Sequence, residues 1–138
     1  MNLPLLLDTC AAIWLANDEP IADEARAEII AALEANEPIF VSPITAWEVG
    51  MLSSRGRLNL QMHPGKWFAG LMQAPGLALA DMEPDVLIGS SLLPGVPPKD
   101  PADRIIIATS REHGYRVVTR DRLILTYAEQ GFCRALAC

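Results

Sequence analysis

The chain has 138 residues, 51% of them hydrophobic, and a formal net charge of −6. That length suits one domain, 1–138, able to bury roughly two-thirds of its unfolded surface. Three cysteines without CxxC spacing indicate neither a disulfide framework nor a zinc site. The apolar fraction is high for a small domain and predicts a sizeable subunit or partner interface.

Leu3 to Leu7 reads as a short buried strand. It has no basic residues before it and ends at Asp8, so no secretory leader is expected. A helix follows from Thr9 to Ala16, and "IADEARAEIIAALEAN" (21–36) forms a second, with Ala22, Ala25, Ile29 and Leu33 at helical spacing. Ile39–Val41 is a strand; Ser42 caps and Pro43 opens the helix "PITAWEVGML", which stops near Arg55-Gly56. His63–Met72 is helical, Leu77–Ala80 a strand and Glu83–Leu93 a helix. The longest uncharged stretch, Trp67 to Ala80, is broken by Pro75 and is short of the roughly 20 residues of a membrane span. The chain therefore reads as cytoplasmic. "PGVPPKD" (94–100) is a rigid loop. Pro101–His113 is a helix stopped by Gly114, Tyr115–Thr119 a strand, Asp121–Glu129 a short helix and Phe132–Ala137 a last strand. Short apolar strands alternating with helices predict an α/β fold with a parallel sheet covered on both faces. Ligand sites in such sheets lie beyond the carboxyl ends of the strands.

That rule makes the positions of four carboxylates informative. Asp8 ends the first strand, Asp121 follows the strand "YRVVT", and Asp103 stands in the first turn of the helix opened by Asp100 and Pro101. Each has a plain reading as a helix cap or an acidic residue beside a positive helix end. Glu48 lies four residues after Ile44 and one turn before Met51 and Leu52, on the apolar stripe of its helix. A carboxylate there must be paired, protonated or metal-bound; a bridge to an arginine is the plain alternative. Together the four come from separate segments and should converge at one sheet edge, where they repel without a compensating cation. No His or Cys cluster accompanies them, so the expected ion is hard: Mg²⁺, or Mn²⁺. Such an ion activates water and neutralises charge on a phosphodiester. Thr9 and Thr119 are placed to hydrogen-bond the carboxylates or a water without touching the ion; their other reading is as ordinary strand-end residues.

The segments "LLLDT" (5–9), "PITAWEVGML" (43–52), "KDPADRIIIATS" (99–110) and "VVTRDRLI" (117–124) resemble, in this order, the successive motifs of a PIN-domain ribonuclease, above all the VapC-type toxin of bacterial toxin–antitoxin pairs. The resemblance implies a PIN-like three-layer fold with a five-stranded parallel sheet flanked by helices, Mg²⁺-dependent endonucleolytic cleavage of RNA, a homodimer, and inhibition by a cognate VapB-type antitoxin. On matching positions it implies that Asp8, Glu48, Asp103 and Asp121 form the acidic metal-binding and catalytic set, with Asp8 and Asp103 direct ligands. Asp100 and Arg104 are implied as supporting members of the third motif. Pro98 stands where many relatives have histidine and Ala102 where many have an aromatic. Neither position is acidic, so the departures bear on substrate contacts near that loop.

The charge is segregated. Residues 18–37 hold seven of the 17 acidic residues and residues 99–122 six of the 11 basic ones. Arg55, Arg57, Arg104, Arg120 and Arg122 are candidate phosphate contacts of a single-stranded or looped RNA, against a reading as solvated helix faces. Trp14, Trp47 and Trp67 read as core or interface residues rather than base-stacking ones, and His113 as a structural residue at a helix C-terminus. A haloacid-dehalogenase reading requires a second Asp two residues after Asp8, where Cys10 stands. A receiver domain requires paired acids near the N-terminus, and none are there. The remaining alternative is a catalytically silent PIN-like module that only binds RNA or protein.

Overall fold

The computed structural model describes residues 3–138. In chain order the elements are β1 (Leu5–Leu7), α1 (Thr9–Ala16), α2 (Asp23–Glu34), β2 (Ile39–Val41), α3 (Pro43–Ser54), α4 (Pro64–Met72), β3 (Leu77–Leu79), α5 (Pro84–Ser91), α6 (Pro101–His113), β4 (Arg116–Thr119), α7 (Arg122–Glu129) and β5 (Arg134–Ala137). The strands form one parallel sheet in the order β3-β2-β1-β4-β5. β1 is central, with Leu6 opposite Phe40 on one side and Val117 on the other.

Successive strand side chains point to opposite faces, and here each face has its own core. Leu5 and Leu7 pack with Ala12, Ile29 and Leu71 under α1, α2 and α4. Leu6 packs with Ile106, Ile107, Ile124 and Tyr127 under α6 and α7. α5 lies outside against α6. The expected three-layer α/β architecture is present. Among the described residues no helix is long and apolar enough to cross a membrane.

Several element bounds differ from the sequence expectation for local reasons. β1 starts at Leu5 because Pro4 has no N–H for the ladder, although its carbonyl accepts from Arg116 N at 2.8 Å. α2 is shorter at both ends than 21–36, and Asn36 takes a left-handed φ of 55°. α5 ends at Ser91 rather than Leu93. Phe132 precedes β5 and stacks on Tyr127 with ring centroids 5.0 Å apart. The expected stop of α6 holds: Gly114 is left-handed, φ 75°, and its N–H donates to Ser110 O at 2.8 Å.

Candidate metal centre

The site begins where β1 ends. Asp8 N–H donates to Val118 O at 3.1 Å, which extends the β1–β4 ladder by one residue. Asp8 Oδ1 caps α1 by accepting from Ala11 N at 2.7 Å. Its other oxygen accepts from Thr119 Oγ1 at 2.5 Å. The Thr119 hydroxyl, fully buried, in turn accepts from Asp121 N at 2.9 Å, and Asp121 Oδ1 caps α7 through Leu123 N and Ile124 N. Thr119 thus joins the ends of two adjacent strands whose connections leave in opposite directions, the point where open α/β sheets place their ligands.

Two helices bring the other acids. Ser42 accepts from Ile44 N at 3.1 Å and Pro43 opens α3, which carries Glu48 to a half-buried position opposite Thr9. The Thr9 hydroxyl donates to Glu48 Oε1 and lies 3.1 Å from Thr45 Oγ1. Glu48 is therefore satisfied by a hydroxyl rather than by an arginine. Asp100 is exposed and caps α6, accepting from Asp103 N at 3.0 Å, and so leaves the Asp103 carboxylate free of that duty. Asp8, Thr9, Cys10, Trp14, Glu48, Asp103, Arg120 and Asp121 line one cleft of about 250 Å³. A larger hollow of about 620 Å³ lies against α7 and β5 and contains none of the four.

The acids perturb one another. Burial raises the Asp8 carboxyl, partly offset by its bonds from Thr119 and Ala11, and the Asp121 charge adds to the rise. Burial raises Glu48, the Thr9 hydroxyl opposes this, and Asp100 and Asp8 add to it. Asp103 is pushed up to about 7, first by burial and then by Asp100, Asp121, Glu48 and Asp8. Burial and all four acids push the Cys10 thiol up to about 11, so in the metal-free cleft it is a thiol rather than a thiolate at neutral pH.

Four oxygen-bearing acids whose charges resist one another, beside a protonated thiol, fit a hard divalent cation and not a soft one. Convergence holds at the level of the cleft, not of a preformed coordination shell. Among the described residues no three Asp, Glu, His or Cys groups are arranged to hold one ion. The reason is visible in the bonding: Asp8, Glu48 and Asp121 each point at a hydroxyl or backbone N–H of the protein. Each carboxylate keeps further lone pairs with which to meet an ion while those bonds stay in place.

Of the basic candidates, only Arg120 lines the cleft among the described residues. Arg55, Arg57 and Arg122 are exposed outside it, and Arg104 turns its Nε to Ser90 O at 3.0 Å. Trp67 packs against the core beneath α4 as expected. Trp47 does not, being 56% exposed on the outer side of α3. Trp14 packs partly on the core and also walls the cleft. Sequence reasoning missed that second role, for which its position one turn and a half after Asp8 was the available signal. His113 pairs with Glu83 at 2.9 Å, a structural contact.

A doubly covered parallel sheet that gathers acids where two adjacent strands end defines an α/β protein with an acidic cleft at the carboxyl edge of its sheet. A family model for the PIN domain matches residues 5–129, and the chain belongs to the PIN-domain family, in its VapC type. It is 31% identical to Ribonuclease VapC22 of Mycobacterium tuberculosis over 123 residues, covering 89% of this chain and 91% of the relative. Its fold is that of a chain in VapBC2 of Rickettsia felis bound to a promoter DNA fragment, with TM-score 0.69, 13% identity and 98% of each chain covered. It is also similar to a chain of a toxin–antitoxin complex from Klebsiella pneumoniae, with TM-score 0.54, 24% identity and 85% and 86% covered.

Proposed function

We propose that this chain is a Mg²⁺-dependent endoribonuclease, the toxin component of a toxin–antitoxin pair, silenced by a cognate VapB-type antitoxin. The observation that carries the reading is the convergence of Asp8, Glu48, Asp103 and Asp121 in one cleft at the switch point of the sheet. The 31% identity to a protein named as a ribonuclease supports the activity, and the complexes named as toxin–antitoxin pairs support the partner. The homodimer implied by the family is supported by an apolar surface on and after α5, where Ile88, Leu92 and Val96 are 60%, 74% and 87% exposed.

In this reading Asp8 and Asp103 hold the ion directly, and Glu48 and Asp121 complete its acidic surroundings. When bound, Mg²⁺ would supply activation of a water and charge neutralisation at the phosphodiester. Thr119 keeps the Asp8 carboxylate in place from behind, Thr9 does the same for Glu48, and Asp100 fixes the start of α6 so that Asp103 faces the cleft. Burial first, and then the neighbouring acids, raise the Asp103 carboxyl in the metal-free cleft, and a cation held there would favour its ionised form. A cleft of this size takes a splayed single strand rather than a duplex, as sequence-specific RNA recognition commonly does.

The test is cleavage of total cellular RNA by the purified chain, freed of co-purifying partner, with Mg²⁺, Mn²⁺ or EDTA, beside Asp8→Asn and Asp103→Asn. Discrete cuts that vanish with EDTA and with either variant are expected. Cleavage that survives both variants would overturn the assignment. Failure of a folded, metal-binding chain to cut any RNA would favour the silent binding module.

A further inference from the structure

Arg120 is a cation placed in a cleft of acids, yet it pairs with none of them. Among the described residues the side-chain ion pairs are His113 with Glu83 and Arg116 with Glu28; Arg120 makes none with a side-chain carboxylate. Its hydrogen bonds go instead to backbone oxygens outside the acidic set, Nε to Cys138 O at the last residue at 2.9 Å and Nη2 to Pro20 O at 2.7 Å. Its guanidinium carbon sits 3.8 Å from the centroid of the Trp14 ring, a cation–π arrangement that fixes the plane of the group. Two backbone oxygens and one aromatic face therefore orient the exposed Arg120 side chain. Among the described residues its third nitrogen, Nη1, has no partner.

We infer that Arg120, held by Trp14, is the substrate-positioning cation of this cleft, and that its free Nη1 edge grips a phosphate oxygen of the RNA strand beside the acidic centre. The inference rests on the nuclease reading and deepens it, since it singles out one of the candidate arginines. The physical logic is complementary. An acidic cleft repels a phosphodiester, and a bound dication offsets only part of that charge. A fixed guanidinium at the rim supplies the remaining attraction and costs little ordering when the strand arrives. Arg55, Arg57, Arg104 and Arg122 do not line the cleft. Arg120 also joins the last residue to the loop before α2, so a purely structural role is the reading to exclude.

The experiment measures binding of a short fluorescein-labelled, mixed-sequence oligoribonucleotide to the full chain, with Ca²⁺ replacing Mg²⁺ to slow turnover, across a salt series. Arg120→Gln keeps an amide donor for the backbone oxygens and removes the charge. It is expected to weaken binding about tenfold at low salt and to flatten the slope of log affinity against log salt by about 0.7, one single-strand phosphate contact. Arg120→Lys should keep the slope while losing part of the affinity, because an ammonium has neither the fork nor the stacking of a guanidinium. Arg134→Ala, at the opposite edge of the sheet, should change neither. If Arg120→Gln lowers the melting temperature but leaves the slope unchanged, Arg120 is a clamp only and the inference is overturned. Wild-type cleavage of total RNA is scored in parallel. Its absence would count against the nuclease reading, whereas an unchanged slope with wild-type cleavage intact counts against Arg120 alone.

Discussion

The two edges of the sheet handle charge in opposite ways. At the amino edge, Arg116 on β4 meets Glu28 of α2 at 3.1 Å, and the two neutralise each other with both side chains partly covered. At the carboxyl edge, Asp8, Glu48, Asp103 and Asp121 share one cleft, and every bond to Asp8, Glu48 and Asp121 comes from a neutral hydroxyl or backbone N–H. The same strands end in a closed electrostatic account on one side and an open one on the other. Charge that serves the fold is cancelled within the chain. Charge left standing against desolvation, as in the rise of Asp103 to about 7, distinguishes the edge we propose as the ligand site.

The strongest way to break this contrast is to neutralise one open charge. Asp103→Asn should reduce RNA cleavage at least about a hundredfold, since loss of even an indirect supporter costs up to that much. The same change should raise the melting temperature of the metal-free chain by removing the repulsion among the acids. A variant that is both inactive and less stable would show that the acids support the fold. The Glu28→Gln change at the amino edge should do the reverse, leaving cleavage intact.

The pH dependence separates the edges next. A carboxyl raised in the folded chain from its ordinary 3.8 to about 7 binds more protons folded than unfolded. Below the ordinary value it has no effect. As pH climbs from there towards 7 it costs stability progressively, and beyond 7 the cost is constant. Asp8 and Glu48 are raised too and act in the same direction. Urea midpoints in EDTA should therefore fall between about pH 4 and 7, more steeply for the wild type than for Asp103→Asn. Mn²⁺ should restore stability most at neutral pH.

A smaller effect is expected from Thr119→Val, which removes the hydroxyl joining Asp8 to Asp121 N. It leaves a backbone N–H without its partner and should cost about 1–3 kcal/mol in chemical denaturation, with cleavage down about tenfold or more. Smallest of all, Glu28→Gln should cost less than about 1 kcal/mol, because both members of that pair keep contact with water.

Much of this was legible in the chain. The apolar triplets that became strands, Ser42-Pro43 and Asp100-Pro101 as helix starts, and Gly114 as a stop follow from local rules, and each stands where expected. Placing Asp8 and Asp121 near one another required only the rule that parallel sheets bind at their carboxyl edge. The Thr119 bridge was legible as a possibility and no further. It exists because β4 lies against β1, an adjacency between residues 111 positions apart that no local pattern encodes. Arg120 was one arginine among several for the same reason. What distinguishes it, the Trp14 face and the Cys138 and Pro20 backbone oxygens, comes together only in the folded sheet. Glu48 was read as too apolar in its setting. Its half-buried place beside Thr9 depends on how α3 turns over α1, which helical spacing alone does not set.

The central claim, that the open edge is a metal site, is tested most directly by calorimetric titration of Mn²⁺ into the metal-free chain. Saturable binding is predicted for the wild type and for Glu28→Gln, weakened at least about tenfold in Asp8→Asn and in Asp103→Asn. Equal binding by all four proteins would contradict the account, because the ion would then be held somewhere other than among these carboxylates.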